Sequence, residues 1–167
     1  LSVVLCVVGL AKLIRADAGV TLERAQLGPT PVTVFRAADM AADTGRPVVL
    51  IAHGFAGSQQ LMQSFAVTLA KNDYLAVTFD YLGHGRNLAP LSGDVTKVDG
   101  ATQKLLAQTR TVADYALSLP DADGSLALLG HSMASDLVVR YAQGDERVDA
   151  TIAVSMFSPA VTATSPE

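Results

Sequence analysis

Tryptophan is absent, cysteine occurs once (Cys6), and only 17% of the 167 residues are charged. A single cysteine excludes an internal disulfide, a cysteine zinc cluster and a Cys-x-x-Cys redox pair, so the fold rests on packing alone. Positive charge is also scarce: twelve Lys and Arg against sixteen Asp and Glu leave a net charge of −4. Such a balance offers no basic footprint for a phosphate backbone, and a nucleic-acid partner is not expected. No internal repeat, low-complexity tract or linker interrupts the chain, and no G-x-G-x-x-G follows a strand, which sets aside a dinucleotide-binding domain. What the chain does have is apolar material. Half of its residues are hydrophobic, ample for one core at a length typical of one domain.

Leu1 to Ala11 is an unbroken apolar and small-residue stretch without a polar face, followed by Lys12 and Arg15. Crossing a bilayer takes about 20 residues, so this stretch alone is too short. Residues 1–19 instead read as the remnant of an anchor or a signal peptide, with Ala16-Asp17-Ala18 as an A-x-A cleavage pattern. The competing reading is a short buried helix. Residues 1–14 are therefore the candidate for membrane association, in a membrane-associated or exported protein; otherwise the location is cytoplasmic. In an anchor, Lys12 and Arg15 would hold the following domain on the cytoplasmic side.

Residues 20–167 read as one partial domain. Thr21 to Leu27 and Pro31 to Arg36, separated by Gly28-Pro29, look like an opening hairpin or edge pair. Val48 to Ala52 is a β-branched run of the kind buried on both faces of a sheet. Ser58 is placed to cap a helix whose core stripe is Leu61, Met62, Phe65, Ala66 and Leu69, and Tyr74 to Phe79 is the next strand. Val98, Ala101, Leu105, Val112 and Ala116 mark a longer helix. Ser125 to Leu129 is a strand, Met133 to Gln143 a helix stopped by Gly144, and Thr151 to Met156 the last strand. Alternation of this kind implies an α/β fold, a mostly parallel sheet with helices on both faces, whose ligands bind outside the carboxyl ends of the strands.

Three segments sit at those ends. Gly130-His131-Ser132-Met133-Ala134 runs from a strand straight into a helix, the nucleophile-elbow pattern G-x-S-x-G with Ala134 in place of the second glycine. The helix start at Met133 would aim a free backbone N–H at the reacting centre. His53-Gly54-Phe55-Ala56-Gly57-Ser58 follows an earlier strand, and its glycines allow the N–H of Phe55 to face the same point. Asp80-Tyr81-Leu82-Gly83-His84-Gly85-Arg86 would lie on the same rim.

Together these segments resemble the α/β-hydrolase superfamily, from about Val32 to Pro159, and within it the branch of bacterial esterases, lysophospholipase-like enzymes and serine aminopeptidase-like proteins. The resemblance implies an acyl-enzyme formed on Ser132, with the amides of Phe55 and Met133 as oxyanion donors and no metal or organic cofactor. The residues expected around a small-molecule acyl substrate are His53, Gly54, His84 and His131. Of these, His53 reads first as a loop histidine bonded to backbone and His131 as directed toward a neighbouring strand. His84 and Arg86 either touch substrate or brace their loop. Asp80 is expected to brace the turn that follows it.

One part of the pattern is missing. The family order is Ser, then acid, then His, yet the three histidines, His53, His84 and His131, all precede Ser132. Asp136 falls in the following helix, Asp145, Glu146 and Asp149 at the far end of the sheet, and Glu167 is the last residue, so none is a credible acid. The expectation is an amino-terminal hydrolase fragment, truncated before the last strands, with little activity alone and an exposed sheet edge that promotes aggregation. The alternative is a non-catalytic α/β-hydrolase-like module that binds a small apolar ligand or a partner; the oligomeric state is left open.

Overall fold

A computed structural model describes residues 2–39, 45–93 and 100–156. The opening hairpin forms from β1 (Val20–Leu27) and β2 (Thr30–Ala37), antiparallel in a register that pairs Val20 with Ala37. After it come β3 (Arg46–Ala52), a single 3-10 turn (Gln59–Met62), α2 (Gln63–Ala70), β4 (Leu75–Phe79), α3 (Ala101–Leu117), β5 (Ala122–His131), α4 (Met133–Gln143) and β6 (Val148–Val154). The six strands form one sheet in the order β1-β2-β4-β3-β5-β6, in which β4, β3, β5 and β6 run parallel. The fold expected from the alternation is therefore the one observed.

Two apolar layers sandwich the sheet. On one face, Val48, Leu50, Val77 and Leu128 pack against Leu105 and Val112 of α3 and Leu137 and Val138 of α4. On the other face, Val49, Ile51 and Ala76 pack against Met62 and against Ala66, Val67 and Ala70 of α2. Strands β3 and β4 thus bury side chains in both directions, which explains their continuous apolar runs.

Several expectations are corrected. Ser58 makes no side-chain cap hydrogen bond, and the helix expected after it begins as a 3-10 turn. Its stripe is only partly core: Met62 and Ala66 are buried, whereas Leu61 is 69% and Phe65 38% exposed. The last strand starts at Val148 rather than Thr151 because Val148 already pairs with Leu126 of β5. Val98, Phe157, Ser158, Pro159 and Glu167 lie outside the described residues.

The amino-terminal stretch is helical, α1 (Ser2–Ala16). Val3, Val4, Leu5, Val7 and Leu10 are all exposed, which removes the buried-helix reading. No described helix is long and apolar enough to cross a membrane. At the opposite end of the order, β6 is an edge strand among the described residues, and Thr151, Ile152 and Ala153 are exposed.

Candidate active site

Strands β3 and β5 are adjacent and parallel, with Ala52 opposite Gly130. The chain therefore leaves both strands at the same level, and the His53–Gly57 loop emerges beside the Gly130–Ala134 turn. Contact between them is close. A Cβ on Gly54 would lie 2.9 Å from Ser132 Cβ, 3.2 Å from the His131 carbonyl oxygen and 3.3 Å from His131 Nδ1. Only glycine permits that approach, which is the physical reason for glycine directly after His53.

Ser132 has φ 53° and ψ −117°, a backbone conformation that non-glycine residues rarely adopt and that costs about 1–3 kcal/mol. Hydrogen bonds hold it from both sides. Its N–H donates to the Val154 carbonyl at 2.9 Å, and its own carbonyl accepts the Ser135 N–H at 2.9 Å together with the Ser135 hydroxyl. The turn also requires Gly130, where a Cβ would fall 2.3 Å from the Ala134 carbonyl oxygen. Ser132 is itself half-buried. Met133 opens α4, so its N–H has no carbonyl within the helix to bond. Phe55 is 64% exposed, its ring edge-on to His84 at 5.5 Å between centroids.

His53 is fully buried and both ring nitrogens are engaged. Nε2 accepts the Tyr81 N–H at 3.1 Å, which leaves Nδ1 to carry the proton it donates to the Gly54 carbonyl at 2.7 Å. The ring thus ties the loop after β3 to the loop after β4, and its side chain has no surface left for a substrate. Burial holds its pKa below the ordinary histidine value, with a backbone bond to Gly54 working against the shift. A histidine kept neutral in the fold contributes stability that is complete above its unfolded pKa of about 6.5 and is lost as pH falls from there through the folded value. We expect thermal stability to decline below about pH 6.5, and the His53 ring resonance to titrate below that pH; titration at or above it would contradict the assignment. His84, also buried, directs Nδ1 to the Leu82 carbonyl at 2.8 Å, and His131 is half-buried beneath Gly54.

Asp80 is the organising carboxylate of the rim and is fully buried. It accepts the Gln59 N–H at 2.7 Å, Gln59 Nε2 at 3.0 Å and the Arg86 N–H at 3.0 Å, while its main-chain oxygen accepts Asn87 Nδ2 and Gln108 Nε2. Gln59, Asn87, Gln108 and Ser135 were not signalled by any motif; each acts across the chain or through a backbone atom, where spacing carries no mark. Three carboxylates beyond Ser132 are engaged away from it. Asp136 pairs with Arg140, Asp149 accepts the Leu126 N–H, and the Arg147 guanidinium holds the Asp145 carboxyl well below the usual range. No metal-binding group of His, Cys, Asp and Glu occurs among the described residues.

Strand order, crossing helices and the glycine-lined turns at the ends of β3, β4 and β5 define the α/β-hydrolase class. The chain belongs to the serine aminopeptidase S33 family, whose profile matches residues 43–166. No curated protein sequence matches it. Among solved structures it is similar to a thioesterase domain from the curacin biosynthetic pathway, at 26% identity and a TM-score of 0.59 over 82% of this chain and 44% of that one. An acetyl xylan esterase from Paenibacillus sp. R4 (15% identity, TM-score 0.63, 83% of this chain and 54% of that one) shares the fold. So does an esterase from Pyrococcus furiosus (14%, 0.61, 82% and 52%). The chain spans about half the length of these structures. Its fold is that of the α/β-hydrolase superfamily.

Proposed function

We propose that the protein is a serine hydrolase that cleaves a carboxylic ester or related acyl bond of a small molecule through an acyl-enzyme on Ser132. The observation that carries this reading is the strained backbone of Ser132, φ 53° and ψ −117°, clamped between Val154 and Ser135 at a strand-to-helix turn. Such a conformation pushes the hydroxyl clear of the sheet and is the geometry of a nucleophile elbow. The amides of Phe55 and Met133 are the proposed oxyanion donors: they flank Ser132 on the two backbone segments that meet at Gly54. Gly54 is the close-approach residue of this site. His53 positions the loop through backbone bonds, while His84 and His131 are proposed as its walls.

No histidine follows Ser132, so residues 1–167 by themselves are proposed to react slowly, at the residual rate that oxyanion donors and binding support. Within that reading, residues 1–19 are a separate apolar segment and residues 20–167 part of the hydrolase domain. The exposed side chains of Val3, Val4, Leu5, Val7 and Leu10 support membrane association through residues 1–14 as a proposal of the same standing.

The test is acyl transfer from p-nitrophenyl acetate to the protein expressed from its full coding sequence. Wild type is expected to carry one acetyl adduct during turnover and the Ser132→Ala variant none, with kcat down by roughly 10³-fold or more. Equal turnover by both proteins would refute Ser132 as nucleophile and favour the binding-module alternative.

A further inference from the structure

A second concave site lies on the α2 face of the sheet, with a volume of about 140 Å³, lined among others by Arg24, Thr33, Phe35, Gln59, Thr78 and Arg86. None of its lining residues belongs to the His53–Gly57 loop or the Gly130–Ala134 turn. Its charged lining is two arginines, both exposed. Arg36, Arg140 and Arg147 are all paired with carboxylates. The guanidiniums of Arg24 and Arg86 have no such partner among the described residues; Arg110, over the Tyr141 ring, and Arg46, with Nε and Nη1 unpaired, also lack one but do not line this pocket.

Where these two arginines sit follows from the fold. Arg24 stands on β1 opposite Thr33 of β2, and Arg86 is held at the pocket by its backbone N–H on Asp80. Beneath them the polar groups satisfy one another. Thr33 and Thr78 donate to Gln59 Oε1 at 2.7 and 3.2 Å, and Gln59 Nε2 donates to Asp80. Asp80 is fully buried beneath its three N–H donors, and no carboxylate lines the pocket among the described residues. The polar groups of the floor are thus bonded to one another above the buried Asp80 carboxylate, while Arg24 and Arg86 line the same concavity, with Phe35 as an apolar wall.

We propose that this pocket binds a small oxyanion-bearing ligand, a carboxylate or a phosphate, between Arg24 and Arg86. Guanidiniums bond planar or tetrahedral oxyanions through paired N–H donors, and charge-assisted bonds of this type are the strong ones. The volume is several times what one water requires, which suits a small anion carrying a short stem. Such a site is independent of acyl chemistry at Ser132.

Calorimetric or NMR titration of the full chain with inorganic phosphate, and separately with butyrate, tests the proposal. Saturable binding of either is expected; tighter phosphate assigns a phosphate ligand and tighter butyrate a carboxylate on an apolar stem. Binding should weaken at least about tenfold in Arg24→Gln and again in the Arg24→Gln/Arg86→Gln double variant. It should be unchanged in Arg110→Gln, whose arginine lies over the Tyr141 ring elsewhere, and in Ser132→Ala, which separates this result from the hydrolase reading. Failure of both probes to saturate, or wild-type binding by a double variant with unaltered thermal unfolding, would overturn it.

Discussion

The Gly130→Ala variant is expected to lose about 3 kcal/mol of stability or more and to lose covalent reactivity at Ser132. The added Cβ would meet the Ala134 carbonyl oxygen at 2.3 Å, its carbon at 2.6 Å and the Ser135 nitrogen at 2.8 Å. These atoms are backbone, so no side chain can swing aside. Nor can the strand retreat, because β5 is hydrogen-bonded between β3 and β6 and the first turn of α4 is anchored through Ser132 to Val154. Relief therefore requires α4 to move away from the sheet, which separates Ala134, Leu137 and Val138 from the core they share with Leu128. A loss of about 3 kcal/mol lowers Tm by roughly 6–12 °C for a chain of this size. Thermal unfolding measures it, and a wild-type Tm in this variant would mean that the turn is looser than its geometry implies.

The Asp80→Ala variant is expected to be similarly damaged, for a different reason. Removal of the carboxylate leaves the Gln59 N–H, Gln59 Nε2 and Arg86 N–H without their acceptor. A buried donor left unpaired costs about 1–3 kcal/mol. Gln59 also receives the hydroxyls of Thr33 and Thr78, so disorder there spreads to β2 and β4. Asp80→Asn should cost less, since one amide oxygen still accepts, although its NH2 group then faces N–H donors. Chemical denaturation should show a lower midpoint at unchanged slope for both, Ala below Asn. Equal midpoints for wild type and Asp80→Ala would contradict the hub role. Gly85 ties into the same point: its φ is 53°, and a Cβ there would fall 2.3 Å from an Asp80 carboxylate oxygen.

The parts of the site that were legible in the sequence are those encoded over a few consecutive residues at a strand end. Gly130 to Ala134 and His53 to Gly57 carry their glycines because backbones meet there, and the contact of Gly54 with Ser132 is what those glycines report. Helix α4 was legible at both ends, from Met133 to the stop at Gly144. Less legible was the segment after Ser58. Its apolar spacing is helical, yet Gln59 turns inward to Asp80, a residue 21 positions on, and the first turn tightens to 3-10 form. Periodicity also cannot say which apolar positions find a partner, so Leu61 and Phe65 counted as core although both are exposed. The beginnings of β5 and β6 depend on pairing, Ala122 with Arg46 and Val148 with Leu126, rather than on their own composition.

The central claim is that Ser132 is the nucleophile. Its most direct test is peptide mapping by mass spectrometry after reaction of the protein, expressed from its full coding sequence, with an alkyl fluorophosphonate. One phosphonyl adduct per chain, located on Ser132, is expected, with none in Ser132→Ala. An adduct on Ser135 or Ser155, or equal labelling of the Ser132→Ala variant, would contradict it.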